Sequence, residues 1–242
     1  MKTNQKLLTR LYKRLLNRLF LGRVFKNRLR LAFGVYPLSE TWGYDRGQPI
    51  HRYYLNNFLK KFVDDIKGHC LEFEDDRYTS RYGRERVRKL DILHKEENPN
   101  ATIIADLTKP NQIPSNQFDC IICTHVLHHI FELVKFVSEL YRILKPGGVL
   151  LVAVPHVSMC EPSLHELWRF TPEGLNTILS KIFGAENVTV DAYGNSLSTV
   201  ADFRGLVVRE LSQAELEYHD GRFALEVCAR AIKPIIKNQA VS

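Results

Sequence analysis

The clearest pattern of apolar and polar positions runs through residues 118–155. A short apolar run at 118–123 is typical of a strand that is buried on both faces. Apolar residues then recur at the spacing of one helix face: Leu133, Phe136, Val137, Leu140, Ile143 and Leu144. A Lys-Pro-Gly-Gly turn at 145–148 ends this helix, and a second apolar run follows at 149–154. The pattern predicts a strand–helix–strand crossover of a parallel sheet.

Shorter runs on both sides extend this α/β pattern along the chain. Strands are predicted at residues 69–73, 87–93, 101–105, 188–192 and 224–232, and further helices at 49–67, 172 onward and 197–211. Ligands of open α/β sheets bind beyond the carboxyl ends of the strands. Side chains that follow the strands are therefore the first candidates for a site.

Charge is distributed unevenly along the chain. Residues 1–39 contain ten basic side chains and no acidic one, whereas residues 40–242 contain 24 basic and 27 acidic groups. The overall net charge of +7 therefore comes from the N-terminal segment. The five cysteines show no disulfide spacing, and no apolar stretch has the roughly 20 residues that span a bilayer, so we expect a reduced, cytoplasmic protein.

Residues 1–33 are predicted to form a basic amphipathic helix. Its apolar side would carry Leu8, Leu11, Tyr12, Leu15, Leu16 and Leu19. Such a helix suits peripheral contact with an anionic membrane, or contact with a glycosyltransferase, with its own domain or with a second copy. Nucleic-acid binding is not expected, because no RNA- or DNA-binding signature accompanies the charge. An organelle transit peptide is a further alternative, although serine is absent before Ser39.

The run Phe118-Asp119, the LHH turn at 127–129 and the RILKPGG string at 142–148 together resemble class I S-adenosylmethionine-dependent methyltransferases of type 11. The strings LEFEDDRYTSRYG at 71–83 and WRFTPEGL at 168–175 resemble a subgroup associated with polysaccharide and glycosyltransferase functions. The resemblance implies a Rossmann-like, doubly wound sheet of seven strands whose last strand is antiparallel, with helices on both faces. It covers residues 40–234.

The resemblance also implies the side chains that bind the cofactor S-adenosylmethionine. They follow successive strands: Glu72, Glu74, Asp75, Tyr78, Asp91, Asp106, Leu107 and Thr124. Asp91 lies 19 residues beyond Glu72, which suits a carboxylate that accepts hydrogen bonds from a ribose. The usual glycine-rich first turn is missing, since the first glycine after the strand is Gly83. Each acidic residue could instead be a solvated strand end or a helix cap.

Three histidines follow the strand at 118–123, near the expected position of the reactive methyl group. His125, His128 and His129 are candidates for the general base that removes a proton from an alcohol acceptor. Packing against the sheet is the alternative for each. We predict no metal site, because no third and fourth ligand occur at a suggestive spacing. Cys120 and Cys123 are interpreted as core residues on opposite faces of one strand.

Residues 156–175 are predicted to lie over the carboxyl edge of the sheet and to contact the acceptor. The candidates are His156, His165, Trp168 and Arg169, although this segment could also fold back as a core plug. The aromatic and glycine-rich loop at 41–47 is a candidate lid. We divide the chain into a basic helix at 1–33, a lid loop and covering helix at 34–67, a methyltransferase domain at 68–236 and a tail at 237–242.

The sequence thus predicts an enzyme that methylates an oxygen of a sugar, glycan or other small hydroxylated acceptor by in-line displacement, with a histidine as base. Two alternatives remain open. A methyltransferase-like binding protein that has lost catalysis would explain the missing glycine turn. An RNA methyltransferase would use the basic N-terminus to hold its substrate.

Overall fold

The structure is a computed structural model that describes residues 22, 24–29 and 34–235. Most of the predicted N-terminal helix, including its apolar positions from Leu8 to Leu19, and the tail at 237–242 lie outside these residues. The division of the chain into four segments stays a prediction. None of the described helices has the length and apolar character that a bilayer span requires.

Seven strands form one mixed sheet. They are β1 (Gly68–Phe73), β2 (Val87–His94), β3 (Ile103–Ile104), β4 (Phe118–Thr124), β5 (Leu144–Pro155), β6 (Val188–Tyr193) and β7 (Glu226–Ile232). Their order is β3-β2-β1-β4-β5-β7-β6. β7 pairs antiparallel with both β5 and β6, and the other pairs are parallel. The predicted Rossmann-like sheet with an antiparallel last strand is confirmed.

Helices cover both faces of the sheet. They are α1 (Ile50–Lys61), α2 (Leu133–Ile143), α3 (Pro172–Phe183), α4 (Ser196–Phe203) and α5 (Gln213–Glu217). α2 and α3 cover the face that carries Leu71, Ile121 and Leu150, whereas α1 covers the face that carries Cys70 and Ile122. Neighbouring residues of each strand alternate between the two cores, as the pleat requires.

Cys120 and Cys123 are both fully buried and belong to different cores. Their interpretation as core residues on opposite faces is confirmed.

Several predicted bounds were wrong. The helix predicted at 197–211 ends at Phe203, and Val208–Glu210 forms a separate short turn. Gly205 interrupts the predicted helix, because its φ of +82° is not helical. A Cβ atom at this position would lie 2.6 Å from the Cβ of Ser39. The helix predicted at 49–67 ends at Lys61, and β3 is shorter than predicted.

Candidate functional site

Two cavities lie at the carboxyl edge of the sheet. The first, here called the cofactor cleft, has a volume of about 440 Å³ and lies beyond β1, β2 and β4. The second, here called the acceptor pocket, has a volume of about 230 Å³ and lies beyond β4 and β5. Both are lined by His125, His129 and Leu164, so the two cavities adjoin at the histidine turn. This is where the crossover of 118–155 predicted a site.

The first turn of the cofactor cleft is built without early glycines. Glu72 is buried at the end of β1, and its two carboxylate oxygens accept hydrogen bonds from the backbone N–H groups of Tyr78 (2.9 Å) and Thr79 (2.7 Å). Burial raises the pKa of Glu72 to about 7. Glu74 adopts the left-handed conformation, with a φ of +69°, that glycine usually supplies. The turn therefore closes around a carboxylate and leaves the cleft open.

Glu74 is the member of this turn that lines the cleft. Glu72 does not line it and acts on the backbone of the turn instead. Asp75 is half-buried and is paired with Arg77. Tyr78 is buried, and its hydroxyl accepts a hydrogen bond from Nη1 of Arg52 at 2.6 Å. Among the four residues predicted in this turn, the structure brings only Glu74 to the cleft.

Asp91 also does not reach the cofactor cleft. Its carboxylate lies 2.6 Å from Nε2 of His69 and 3.1 Å from Nζ of Lys89, and it lines a separate groove with Thr102. The reason is that β2 continues to His94, three residues beyond Asp91. The residues at the end of β2 that line the cleft are Leu93 and, directly after the strand, Lys95.

Asp106 and Leu107, predicted to bind the cofactor, both line the cleft. The Asp106 carboxylate accepts hydrogen bonds from the hydroxyl (2.6 Å) and the backbone N–H (3.0 Å) of Thr108. The Thr108 hydroxyl is the main reason why the pKa of Asp106 is lowered, so the carboxylate is charged at neutral pH. Apolar side chains complete the walls of the cleft: Phe73, Leu93, Ala105, Val126, Ile130 and Phe136.

The histidine turn follows the last residue of β4, Thr124, which is half-buried and lines neither cavity. His125 has a φ of +55°, and its N–H donates to the carbonyl of Ala153 at 2.8 Å, which fixes the turn to β5. His128 is buried and lines the acceptor pocket, while half-buried His129 lines both cavities. All three predicted catalytic histidines are thus brought to the site.

Two of these histidines are held neutral. Burial is the main cause that moves the pKa of His125 well below its ordinary value and that of His128 to about 2. Nε2 of His125 lies 3.1 Å from Oε1 of Glu226, the first residue of β7, outside hydrogen-bonding geometry. Burial raises the pKa of Glu226 to about 8. Because the pKa of His125 is lowered and that of Glu226 is raised, a neutral imidazole faces a protonated carboxyl group near neutral pH.

His51 is the fourth histidine of the acceptor pocket. It lies in the first turn of α1, and its Nδ1 lies 3.0 Å and 3.1 Å from the two oxygens of the Asp202 carboxylate. Asp202 also accepts hydrogen bonds from the N–H groups of Ile50 (2.9 Å) and His51 (3.0 Å). Because a carboxylate only accepts, Nδ1 carries the proton. Among the described residues, Nε2 of His51 has no hydrogen-bond partner.

The comparisons with known proteins agree with this geometry. Residues 70–152 match the family model of the methyltransferase domain. Over these residues the chain is similar to that family. The match includes most of β1, all of β4 and α2, and most of β5.

The chain is also similar to curated methyltransferases. The chain is 29% identical over 94 residues to a probable S-adenosylmethionine-dependent methyltransferase of Mycolicibacterium smegmatis, covering 39% of this chain and 32% of that protein. It is 28% identical over 150 residues to the ubiquinone/menaquinone biosynthesis C-methyltransferase UbiE of Escherichia coli, covering 57% of this chain and 58% of that protein. The chain thus spans less than two thirds of the length of these relatives.

Among solved structures, a SAM-dependent methyltransferase from Archaeoglobus fulgidus superposes with a TM-score of 0.51 at 13% identity. The superposition covers 75% of this chain and 94% of that one. At this identity the likeness concerns the fold alone.

The segment at 156–175 lies over the site but contributes residues other than those predicted. Val157, Ser158, Leu164 and Glu166 line the acceptor pocket. The four predicted residues do not line it. Nδ1 of His156 lies 2.8 Å from the carbonyl oxygen of Phe170, and His165 is exposed. Trp168 donates a hydrogen bond from Nε1 to the carbonyl oxygen of Ile130 at 2.8 Å. Arg169 donates a hydrogen bond to the carboxylate of Glu166 at 2.8 Å. Trp168 thus holds the segment beside the histidine turn, whereas Arg169 bonds within the segment.

The loop at 41–47 lies at the acceptor pocket, as expected of a lid. Trp42 and Tyr44 line the pocket. Nε1 of Trp42 donates to the hydroxyl of Ser158 at 3.1 Å, which joins this loop to the segment after β5. Arg46 of the loop donates to both oxygens of Glu210 at 2.6 Å and 2.8 Å.

The sequence predicted no metal ligands, yet the structure brings three potential donor groups together. Ligand atoms of His128, His129 and Glu166 lie within 4.8 Å of one another. Glu166 is already engaged, with Oε2 accepting from Arg169 and Oε1 lying 3.4 Å from Nε2 of His128. We assign no ion to this cluster.

Proposed function

We propose that the protein transfers the methyl group of S-adenosylmethionine to an oxygen of a small hydroxylated acceptor, such as a sugar unit of a glycan. The observation that carries this proposal is the pair of cavities that adjoin at the histidine turn. A transfer between two bound molecules needs their reacting atoms side by side and in line, because alignment supplies much of the rate. Two cavities that share His125, His129 and Leu164 provide that arrangement.

The cofactor cleft fits S-adenosylmethionine. Its walls are mainly apolar, which suits an adenine ring, and Asp106 places a charged carboxylate that can accept from an exocyclic amine. Glu74 and Lys95 provide polar groups for the rest of the molecule. The cofactor supplies an electrophilic methyl group when bound. The alternative of a binding protein without catalysis rested on the missing glycine turn, and that turn leaves the cleft open.

The acceptor pocket suits a small polar molecule. Its volume of about 230 Å³ lies below the roughly 300 Å³ at which drug-sized ligand sites begin, so the part of the acceptor that enters is small. Its walls contribute the guanidinium of Arg52, four imidazoles and the carboxyl groups of Glu166, Asp202 and Glu226. These groups can donate to and accept from hydroxyls on several sides.

The arrangement of His51 and Asp202 favours His51 as the base. A base must accept the acceptor's hydroxyl proton as the new bond forms, and the burial that holds the pKa of His128 at about 2 opposes this at His128. His51 has an unpartnered Nε2 at the pocket, and the Asp202 carboxylate fixes the proton on Nδ1. His129, which lines both cavities, remains the candidate from the histidine turn.

Isothermal titration of the full chain with S-adenosylmethionine and S-adenosylhomocysteine tests the cofactor assignment. We expect saturable binding in the micromolar range, and binding of neither compound would overturn the proposal.

Transfer of a labelled methyl group from S-adenosylmethionine to panels of monosaccharides, oligosaccharides and phenols then tests the acceptor class. Label on oxygen of a hydroxylated compound is expected. Label found only on carbon or nitrogen would agree with methyl transfer but would overturn the proposal of an oxygen acceptor.

A further inference from the structure

A short helical segment at residues 24–29 packs on the domain through polar contacts. Asn27 is buried and donates to Oε1 of Glu210 at 2.7 Å. Arg28 forms two hydrogen bonds to the Glu215 carboxylate, at 2.8 Å and 3.1 Å, and one to the carbonyl of Glu210 at 3.0 Å. The face of this helical segment that contacts the protein is therefore its polar face.

The opposite side of the same segment is apolar and exposed. Phe25 and Leu29, four residues apart and hence on one helix face, are 65% and 46% exposed. Lys26, between them in the sequence, is exposed as well. This orientation is the reverse of the one expected if the apolar side of the N-terminal helix packed on its own domain.

The chain that follows also exposes large apolar residues. Val35 and Tyr36 are 85% and 76% exposed. Their backbone is nevertheless held in place, because the Arg204 side chain donates to the carbonyls of Gly34 and Tyr36, the latter at 3.0 Å. The backbone N–H of Leu38 donates to the carbonyl of Arg204 at 2.7 Å. The exposure of Val35 and Tyr36 is thus fixed by hydrogen bonds to the domain.

We propose that this N-terminal face, defined by Phe25, Lys26, Leu29, Val35 and Tyr36, docks on an anionic lipid surface. The argument from charge is that residues 1–39 contain ten basic side chains and no acidic one. A lipid surface of that kind accepts apolar side chains at the level of the headgroups while its phosphates attract lysine and arginine. The remaining chain has more acidic than basic groups, so the attraction is confined to this end.

The same contacts connect the N-terminal face to the acceptor pocket. Glu210 accepts from Asn27 and also from Arg46 of the lid loop at 41–47. A surface that binds this face therefore lies beside the loop that carries Trp42 and Tyr44 to the pocket. Docking would place the lid loop close to the lipid surface. This inference does not depend on the chemistry of the pocket.

Cosedimentation of the full chain with vesicles tests the proposal. One set consists of phosphatidylcholine alone and the other of phosphatidylcholine with added phosphatidylglycerol. We expect binding to the second set, weakened by added salt. The double variant Phe25→Ser and Leu29→Ser should reduce the affinity by about tenfold or more, because its apolar contribution is lost. Lys26→Gln should weaken binding by about fivefold.

Matched variants serve as controls. Ile104 and Phe223 are similarly exposed, at 55% and 47%, and their double serine variant should bind vesicles as the wild type does. Lys181→Gln removes an exposed charge on α3 and should also have no effect. Circular dichroism of each variant excludes unfolding as the cause of a lost interaction.

Three results would overturn the proposal. The first is wild-type affinity of the Phe25 and Leu29 double variant for anionic vesicles. The second is absence of vesicle binding together with a sedimentation coefficient that this double variant lowers, which would show that the face binds a second copy. The third is binding of a single-stranded RNA oligonucleotide without binding of vesicles.

Discussion

The cofactor cleft and the acceptor pocket share a wall but are built in different ways. The cleft is formed by residues that directly follow successive strands, and its lining is mainly apolar with few polar groups such as Asp106. The acceptor pocket combines buried carboxyl groups and imidazoles from separate parts of the chain, including His51, Asp202 and Glu226. One cavity follows from the order of the strands, whereas the other requires the completed tertiary structure.

This difference separates binding from chemistry. A mainly apolar cleft with a few charged groups at its wall can hold a ligand without changing the protonation of its neighbours. In the acceptor pocket, burial moves pKa values in opposite directions, lowering that of His128 and raising that of Glu226. Groups with such shifts are concentrated at sites of proton transfer. Substitutions in the two cavities should therefore have separable effects on cofactor affinity and on turnover.

The largest effect is expected for His51→Ala. We expect methyl transfer to fall by about 100-fold or more, because a positioned base contributes at least that much, while the affinity for S-adenosylhomocysteine stays within about twofold. Initial rates with a labelled cofactor and calorimetric titration measure the two quantities.

Two variants serve as controls for that experiment. Asp202→Asn should also lower the rate, since a neutral amide no longer fixes the proton on Nδ1 of His51. His165→Ala, an exposed histidine outside both cavities, should leave the rate unchanged. If His51→Ala weakened cofactor binding as much as turnover, the separation of the two cavities would be wrong.

An intermediate effect is expected for Asp106→Ala. Removing a charged acceptor from the cofactor cleft should weaken S-adenosylhomocysteine binding by about tenfold. Asp91→Ala is the matched carboxylate variant. It should leave that affinity unchanged and instead lower the free energy of unfolding by about 1–3 kcal/mol, because His69, Lys89 and Thr102 lose their partner. If Asp91→Ala lost cofactor affinity and Asp106→Ala did not, the ribose of the cofactor would contact Asp91 as the sequence predicted.

The smallest and most gradual effect is the contribution of Glu226 to the pH dependence of the free energy of unfolding. Its pKa is about 8 in the folded protein against an ordinary value of 4.5, so the folded state binds the proton more tightly. The stability that this proton contributes is complete below about pH 4.5 and is lost as pH rises through about 8. The wild type should therefore lose stability relative to Glu226→Gln over this range, by at most about 1.4 kcal/mol per pH unit.

Urea denaturation of both proteins at several pH values measures this difference. The raised pKa of Glu72 is present in both proteins and cancels in the comparison. A stability difference that stays constant with pH, or a wild type that gains stability relative to Glu226→Gln as the pH rises, would show that Glu226 is charged in the folded protein.

The sequence predicted the sheet better than the site. The apolar runs and the helix face between residues 118 and 155 depend on local spacing, and the structure reproduces them, except that Leu144 and the Lys-Pro-Gly-Gly segment at 145–148 belong to β5. Asp91 was misplaced because its spacing from Glu72 suited a ribose contact, while the strand continues to His94. Only the sheet register, in which Leu71 pairs with Asp91 and Phe73 with Leu93, shows where the edge lies.

The base candidate His51 could not be found in the same way. Asp202, which orients it, is 151 residues away in the sequence, and neither residue belongs to a recognisable motif. The one available signal was the position of His51 in the first turn of a helix that was expected to cover the cofactor. The pairing itself depends on α4 packing beside the start of α1, a contact that the pattern of either helix alone does not specify.

The antiparallel direction of β7 has a consequence for the order in which the two cavities form during synthesis. Because β7 runs opposite to its neighbours, its first residue, Glu226, lies at the same edge as Pro155, the last residue of β5. Every residue that lines the cofactor cleft precedes residue 165, so the lining of this cavity is synthesised early. The acceptor pocket must wait for Asp202 and Glu226. A nascent chain therefore has all the residues that line the cofactor cleft before it has those that complete the acceptor pocket.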